Sequence, residues 1–392
     1  MGSGGSANTG KGGGRTEGVE EPSGGFFPPS STPSRRPPGA GLQGENSQDF
    51  KQTTSMRRRS VDLMAEHLSH PGGGDAGADG KGAAAPASAD RAPAASGGRR
   101  NSQDHFADRA QTVIIFDWDD TLFPTTYVRS DLQLSLRCSL ANQKIPEAVK
   151  KEAAAQLSWI ASEVAKLLRQ ASLLGKVVIV TLARAPWCTT SCVQFFPGIG
   201  DLLKELDVRV VYAQQGQQVE YDKVSMMNEE DTARYWSKIK GDAISKVVDE
   251  FYTQYEGQSW KNVISVGDSD FERLGTRRAT GAYMKGIRAT LNRAASAVGR
   301  MASDASQMTM SEAEVDGHTY RVRTKTFKML DQPTVEEISV QLNMLQQWLP
   351  LMVTLDDGFD VDLSSLDDAK ELEVIESILR GKRPSRALHA KR

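Results

Sequence analysis

Val113-Ile114-Ile115-Phe116-Asp117-Trp118-Asp119-Asp120-Thr121-Leu122 is the stretch that decides the fold. Its first four residues form an unbroken β-branched and aromatic run, which suits a strand covered on both faces in the middle of a parallel sheet. Three carboxylates, Asp117, Asp119 and Asp120, follow directly. A buried strand ending in acids puts negative charge at the sheet's carboxyl edge, where open α/β sheets bind their ligands. Unpaired charge there is costly, so a cation or a cationic side chain is expected beside it. Asp117 and Asp119 flank a single residue where the chain leaves the strand. With a turn there, both carboxyls face one reaction centre, one as nucleophile and metal ligand and the other as proton donor and acceptor. The plain alternative is an acidic turn after a core strand.

The rest of the chain narrows the class. With 392 residues and a formal net charge of −2, there is room for one large or two modest domains and no general case for nucleic-acid binding. Cys138, Cys188 and Cys192 are too few for a disulfide framework and point to a reducing, cytoplasmic setting. Cys188 and Cys192 share a helix face as small core residues; no second ligand pair makes them a metal site. No apolar stretch reaches the roughly 18 residues of a membrane span, and no signal-peptide core opens the chain.

Residues 1–110 lack Ile, Trp, Tyr and Cys and hold runs such as Gly12-Gly13-Gly14 and Ala83-Ala84-Ala85. Such a segment buries too little apolar surface to offset its conformational entropy, so a disordered arm is expected, with a short helix near Val61–Leu68. Met1-Gly2-Ser3-Gly4-Gly5-Ser6 fits the loose pattern for myristoylation of Gly2, as a Gly/Ser-rich start can by chance. One acyl chain gives only weak, reversible membrane association. Arg57-Arg58-Arg59-Ser60 and Arg99-Arg100-Asn101-Ser102 place arginines ahead of Ser60 and Ser102, the pattern a basophilic kinase reads and also that of a solvated basic patch.

From residue 111 the pattern alternates. Helical spacing covers Ile145–Leu174, Ile199–Leu206 and Asp231–Tyr255; strands are expected at Lys176–Val180, Val208–Tyr212, Asn262–Val266 and Tyr320–Leu330. Phe271–Thr276 starts another helix, and Thr334 with Glu337 forms a capping box for a last one through Trp348. Strands alternating with helices mean an α/β, Rossmann-like, doubly wound parallel sheet over residues 111–350. Residues 286–316 read as a basic, Ala-rich insert. Residues 351–392, acidic then basic, with a helix at Ala369–Leu379, are expected to be peripheral or partly mobile.

Four segments carry the chemistry. Beside Asp117–Thr121, Thr181 directly follows an apolar strand, where its hydroxyl can donate to a phosphoryl oxygen or serve as an N-cap. Lys240, or its rival Lys238, can offset carboxylates and an incoming phosphate. Gly267-Asp268-Ser269-Asp270-Phe271-Glu272 follows another buried strand, so that Asp268 can face Asp117 across a divalent ion.

These segments, in this order, resemble the four motifs of the haloacid dehalogenase-like hydrolase superfamily over residues 111–350: Asp117-x-Asp119-x-Thr121, Thr181, Lys240 and Gly267-Asp268-x-x-x-Glu272. The resemblance implies a sheet of order 3-2-1-4-5. It implies that Asp117 forms an aspartyl-phosphate and that Asp119 protonates the leaving group and then activates water. It implies Mg²⁺ held by Asp117, the Asp119 backbone carbonyl and Asp268, with Thr181 and Lys240 holding phosphoryl oxygens. The superfamily more often has Asp where Glu272 stands; Asp270 is the substitute acid. A halide leaving group needs no proton, and the dehalogenating members lack an acid at the Asp119 position, so phosphate-ester hydrolysis is the expected reaction. Segments 121–175 and 182–239 are too short for a large cap beside the core's own helices, leaving at most a small helical cap near Arg129–Ile145. An open site suits a large phosphorylated substrate such as a phosphoprotein. Phosphotransfer to another hydroxyl, as in a mutase, and a non-catalytic scaffold are the alternative readings.

Overall fold

The structure is a computed structural model that describes Met64 and residues 102–297, 312–315, 318–366 and 369–382. Gly2, Ser60, the Val61–Leu68 helix apart from Met64, the middle of the 286–316 insert and residues 383–392 lie outside them. Strand β1 (Thr112–Phe116) is buried along its whole length. It pairs in parallel with β2 (Lys176–Thr181) on one side and β4 (Asn262–Gly267) on the other. β3 (Arg209–Tyr212) extends the sheet beyond β2. The burial alternates as the pleat requires. Ile114 and Phe116 enter one core with Ile179 and Ile264; Val113 and Ile115 enter a second with Val180 and Val263. A strand covered on both faces favours apolar residues, which accounts for the unbroken 113–116 run.

The first core is roofed by α1 (Glu147–Leu174), α2 (Trp187–Phe195) and α3 (Ile199–Glu205). After a short α4 (Tyr221–Ser225), the second is roofed by α5 (Glu229–Phe251) and α6 (Asp270–Ala297). The expected five-strand order needs correction. A two-stranded antiparallel hairpin, β5 (Glu312–Val315) and β6 (His318–Arg321), intervenes. The strand beside β4 is therefore β7 (Arg323–Lys328), and the chain from Tyr320 to Leu330 is two elements broken at Val322. Beyond β7 lies a sixth strand, β8 (Phe359–Asp362), so the all-parallel sheet runs β3-β2-β1-β4-β7-β8. Between them α7 (Val335–Thr354) starts at the expected Thr334–Glu337 capping box and passes Trp348 to include Pro350.

The described residues 351–366 and 369–382 are consequently not peripheral: β8 belongs to the sheet, and α8 (Ala369–Leu379) buries Leu372, Ile375, Ile378 and Leu379 in the first core. The arm also ends earlier than residue 110. Residues 102–111 run across the amino edge of the sheet, Phe106 lying 4.0 Å beneath the Arg323 guanidinium, and Met64 is fully buried in the first core. The sequence pattern missed these because each buries only a few apolar side chains. Among the described residues no helix is long and apolar enough to cross a membrane.

The crossing of α5 and α6 sets the site. A Cβ on Gly241 would lie 2.8 Å from the Gly275 carbonyl oxygen, and one on Gly275 3.0 Å from the Gly241 nitrogen. Only two glycines permit this approach. Gly241→Ala is therefore expected to lower stability by about 2 kcal/mol in urea unfolding, overpacking outweighing about 1 kcal/mol of helix propensity. Gly281, with nothing within 4 Å of its Cβ position, is the control. Gly281→Ala should be neutral or stabilising, and equal losses at both positions would refute the packing account.

Candidate functional site

Asp117 follows β1 and continues its ladder, its N–H donating to the Val266 carbonyl at 2.9 Å. The next residue turns inward: Trp118 is fully buried, stacks on Phe123 at 5.9 Å and donates its indole N–H to Ser191 at 2.9 Å. That anchor sends Asp117 and Asp119 to the same side, lining one pocket of about 190 Å³. Asp120 adopts a left-handed backbone (φ 52°) and accepts the Thr126 N–H at 2.7 Å and hydroxyl at 2.6 Å. It organises the loop, and burial raises its pKa to about 7. Thr121 is fully buried with no hydrogen-bond partner for its hydroxyl.

Lys240, 1% exposed, reaches the pocket from α5. Its ammonium lies 2.7 Å from Asp117 Oδ1 and bonds to Glu272 Oε1. Burial opposes its charge, but Asp117 and Glu272 outweigh that, and its pKa is raised. Lys238, its sequence rival, is on the surface, paired with Asp242 at 3.0 Å. Glu272 is held by Ser269, whose N–H donates at 3.1 Å and hydroxyl at 2.6 Å. Gly267 makes room for it: a Cβ there would lie 2.3 Å from Glu272 Cγ. Asp270 does not line the pocket and sits 3.5 Å from Arg273.

Asp117, Asp268 and Glu272 bring carboxylate oxygens within 4.8 Å of one another. Burial pushes Asp117 up to about 8 against the pull of Lys240, and drives Asp268 well above the carboxylate range, with Glu272 adding repulsion. Asp117 Oδ1 receives no directed hydrogen bond despite the nearby ammonium. Three buried carboxylates that share a single ammonium suit a hard divalent cation. The side chain of Asp119 stands outside this cluster. Its Oδ1 accepts the Thr125 hydroxyl at 2.5 Å and the Trp187 indole N–H at 2.6 Å; its Oδ2 accepts the Thr181 hydroxyl at 3.1 Å. Burial nevertheless raises its pKa, outweighing those donors.

The structure thus brings together Asp117, Asp119, Thr181, Lys240, Asp268 and Glu272, and leaves Asp270 aside. The residues missed from sequence are Thr125 and Trp187, whose contacts with Asp119 no local pattern announces, and Arg129, Ser130, Asp331 and Gln332 of the pocket wall. Asp331 did carry a signal, an acid closely following a strand, like Asp117 after β1 and Asp268 after β4. Where a small helical cap was expected, a π-helical turn at Tyr127–Asp131 and a 3-10 turn at Leu140–Asn142 stand instead. No family model, no curated protein and no solved structure matches this chain.

Lys240→Met should unfold about 3 kcal/mol more easily at about pH 9.5 in EDTA, because it strips the ionised buried carboxylates of their cation. Asp117 binds protons more tightly folded than unfolded, so protonation can replace the lost cation as pH falls. The deficit should shrink as pH falls from about 9.5 to about 8, where Asp117 takes up its proton even beside Lys240, and change little below. A deficit that is constant from about pH 9.5 to 8 in urea titrations would contradict the charge argument.

Proposed function

We propose that this protein is a divalent-cation-dependent phosphohydrolase of the haloacid dehalogenase-like type, acting on phosphomonoesters. The observation that carries the reading is the pairing of two carboxylates two residues apart with different partners: Asp117 beside Lys240 and the acid cluster, Asp119 outside that cluster among neutral donors. Environments that separate two carboxylates suit one to nucleophilic attack and the other to proton transfer.

In the mechanism, Asp117 attacks phosphorus and the ester oxygen leaves with a proton from Asp119, giving an aspartyl-phosphate. Asp119, now ionised, takes a proton from water as that water attacks, and phosphate and free Asp117 result. Lys240 offsets the charge of the nucleophile and of the phosphoryl group, and Thr181 lies within reach to donate to a phosphoryl oxygen. Mg²⁺, held by Asp117, Asp268 and the Asp119 carbonyl, would neutralise phosphoryl charge when bound. The cavity of about 190 Å³ is smaller than the roughly 300 Å³ of pockets that engulf a small molecule, and its wall is a turn rather than a domain. It admits the phosphoryl end of a substrate whose bulk stays outside, which favours phosphoproteins or other large esters.

The test is release of phosphate from an aryl phosphate by the full chain with Mg²⁺, with EDTA, and as Asp117→Asn and Asp119→Asn. Magnesium-dependent turnover should fall at least a hundredfold in both variants. Wild-type turnover retained by Asp117→Asn would exclude the covalent mechanism.

Cation binding should depend on pH with a definite sign. Asp117 holds its proton up to about pH 8 in the metal-free protein, so a cation must displace it below that. Affinity for Mg²⁺ or Mn²⁺ should rise by up to about tenfold per unit from pH 6 to 8 and then level. Calorimetry in two buffers of different ionisation heat should show proton release at pH 6.5; none would place the cation elsewhere.

A further inference from the structure

The amino edge of the sheet, opposite the pocket, collects cations the proposed reaction does not use. Arg323 is 2% exposed, and Lys261 and Lys325 are fully buried. Lys325 donates to neutral acceptors, the Asn262 side-chain oxygen at 2.8 Å and the Val353 carbonyl at 3.2 Å. Arg321 and Arg323 share Asp356, which is 57% exposed, at 3.4 and 2.6 Å; Arg321 also lies 3.9 Å from Glu312. Burial and then Arg323 depress both lysines, Lys261 to about 8 and Lys325 well below its usual value. The edge therefore gathers four cationic side chains around the carboxylates of Asp356 and Glu312.

Residues 102–111 are the strap over this edge. Gln103 accepts from Arg323 at 2.6 Å and donates to the Thr319 carbonyl at 2.9 Å. Phe106 lies under Arg323 at 4.0 Å and Lys325 at 5.4 Å, and Gln111 accepts from Lys261 at 3.0 Å. The strap meets these cations through the neutral side chains of Gln103, Phe106 and Gln111. Ser102 begins it, partly exposed, directly before Gln103, and follows Arg99-Arg100-Asn101.

We propose that Ser102 is a phosphorylation site of a basophilic kinase, and that its phosphate pairs with Arg321 and fastens the strap. The kinase moves the terminal phosphoryl group of ATP onto Ser102 Oγ; the hydroxyl proton passes to the kinase base and ADP leaves. The new group brings close to two negative charges and three acceptor oxygens. It loses the Ser102–Asp104 hydrogen bond of 2.7 Å and repels Asp104. Asp104 is exposed, so solvent and salt screen that repulsion. Arg321, 28% exposed, lies on β6 two residues beyond Thr319, whose carbonyl already holds Gln103 at 2.9 Å, and it keeps more of its attraction. The balance favours the fastened strap. Because the pocket is at the other edge, fastening should not alter turnover.

Two measurements on the full chain decide this. Incubation with ATP and the catalytic subunit of a basophilic kinase, followed by peptide mass spectrometry, should show phosphate on Ser102 and none at that peptide in Ser102→Ala; an unmodified Ser102 overturns the proposal. Phosphoserine placed at 102 by codon suppression should raise Tm by about 3 °C over the unmodified chain. The gain should be lost in 1 M NaCl and in Arg321→Gln, each compared with its own unmodified form. An equal or lower Tm, or a gain that survives Arg321→Gln, overturns the clamp. Neither result depends on phosphate hydrolysis, so this proposal and the enzymatic one fail separately.

Discussion

The structure depends on a buried ammonium placed between two carboxylates. Lys240 comes from one helix, Asp117 from the end of the central strand and Glu272 from the next helix, so their contact ties α5, β1 and α6 together. Burying such charges is favourable only when geometry lets them neutralise one another. That geometry rests on the helix approach at Gly241 and Gly275, and on the missing side chain at Gly267 that lets Glu272 fold back. Three glycines that look unremarkable along the chain are thus conditions of the charge cluster.

Asp119 shows the complementary arrangement. It is partly exposed, separated from the cluster, and held by Thr125, Thr181 and Trp187 from three different segments. Trp187 also packs edge-on against Phe123 at 5.8 Å, and Phe123 stacks on Trp118. The aromatic group that buries the residue between the two acids therefore also supplies a donor to one of them. Apolar packing fixes the directions of Asp117 and Asp119, and their surroundings then give them different partners.

The sheet is extended at both ends of the domain by segments that seem expendable from composition. β8 and α8 close the first core from the carboxyl terminus, and the strap closes the amino edge. β8 is tied to the start of α6 through Arg273, which donates to both oxygens of Asp360 at 2.6 and 2.9 Å. The helix that carries Glu272 is in this way braced by the last strand of the chain.

By itself the sequence determined the parallel α/β class, the buried strand 113–116, most helices, and the convergence of Asp117, Asp119, Thr181 and Asp268. These are legible because a strand covered on both faces favours a continuous apolar run and because the polar residues directly after such strands share one sheet edge. Lys240 and Lys238 were indistinguishable by sequence, since two positions along a helix turn a side chain to another face only once the partner surface is known. Glu272 and Asp270 were separated for the same reason. Tertiary structure alone decided the hairpin before β7, the sixth strand, the docking of residues 102–111 and the donors around Asp119. Each of these rests on contacts between residues far apart in the chain, which local periodicity does not encode.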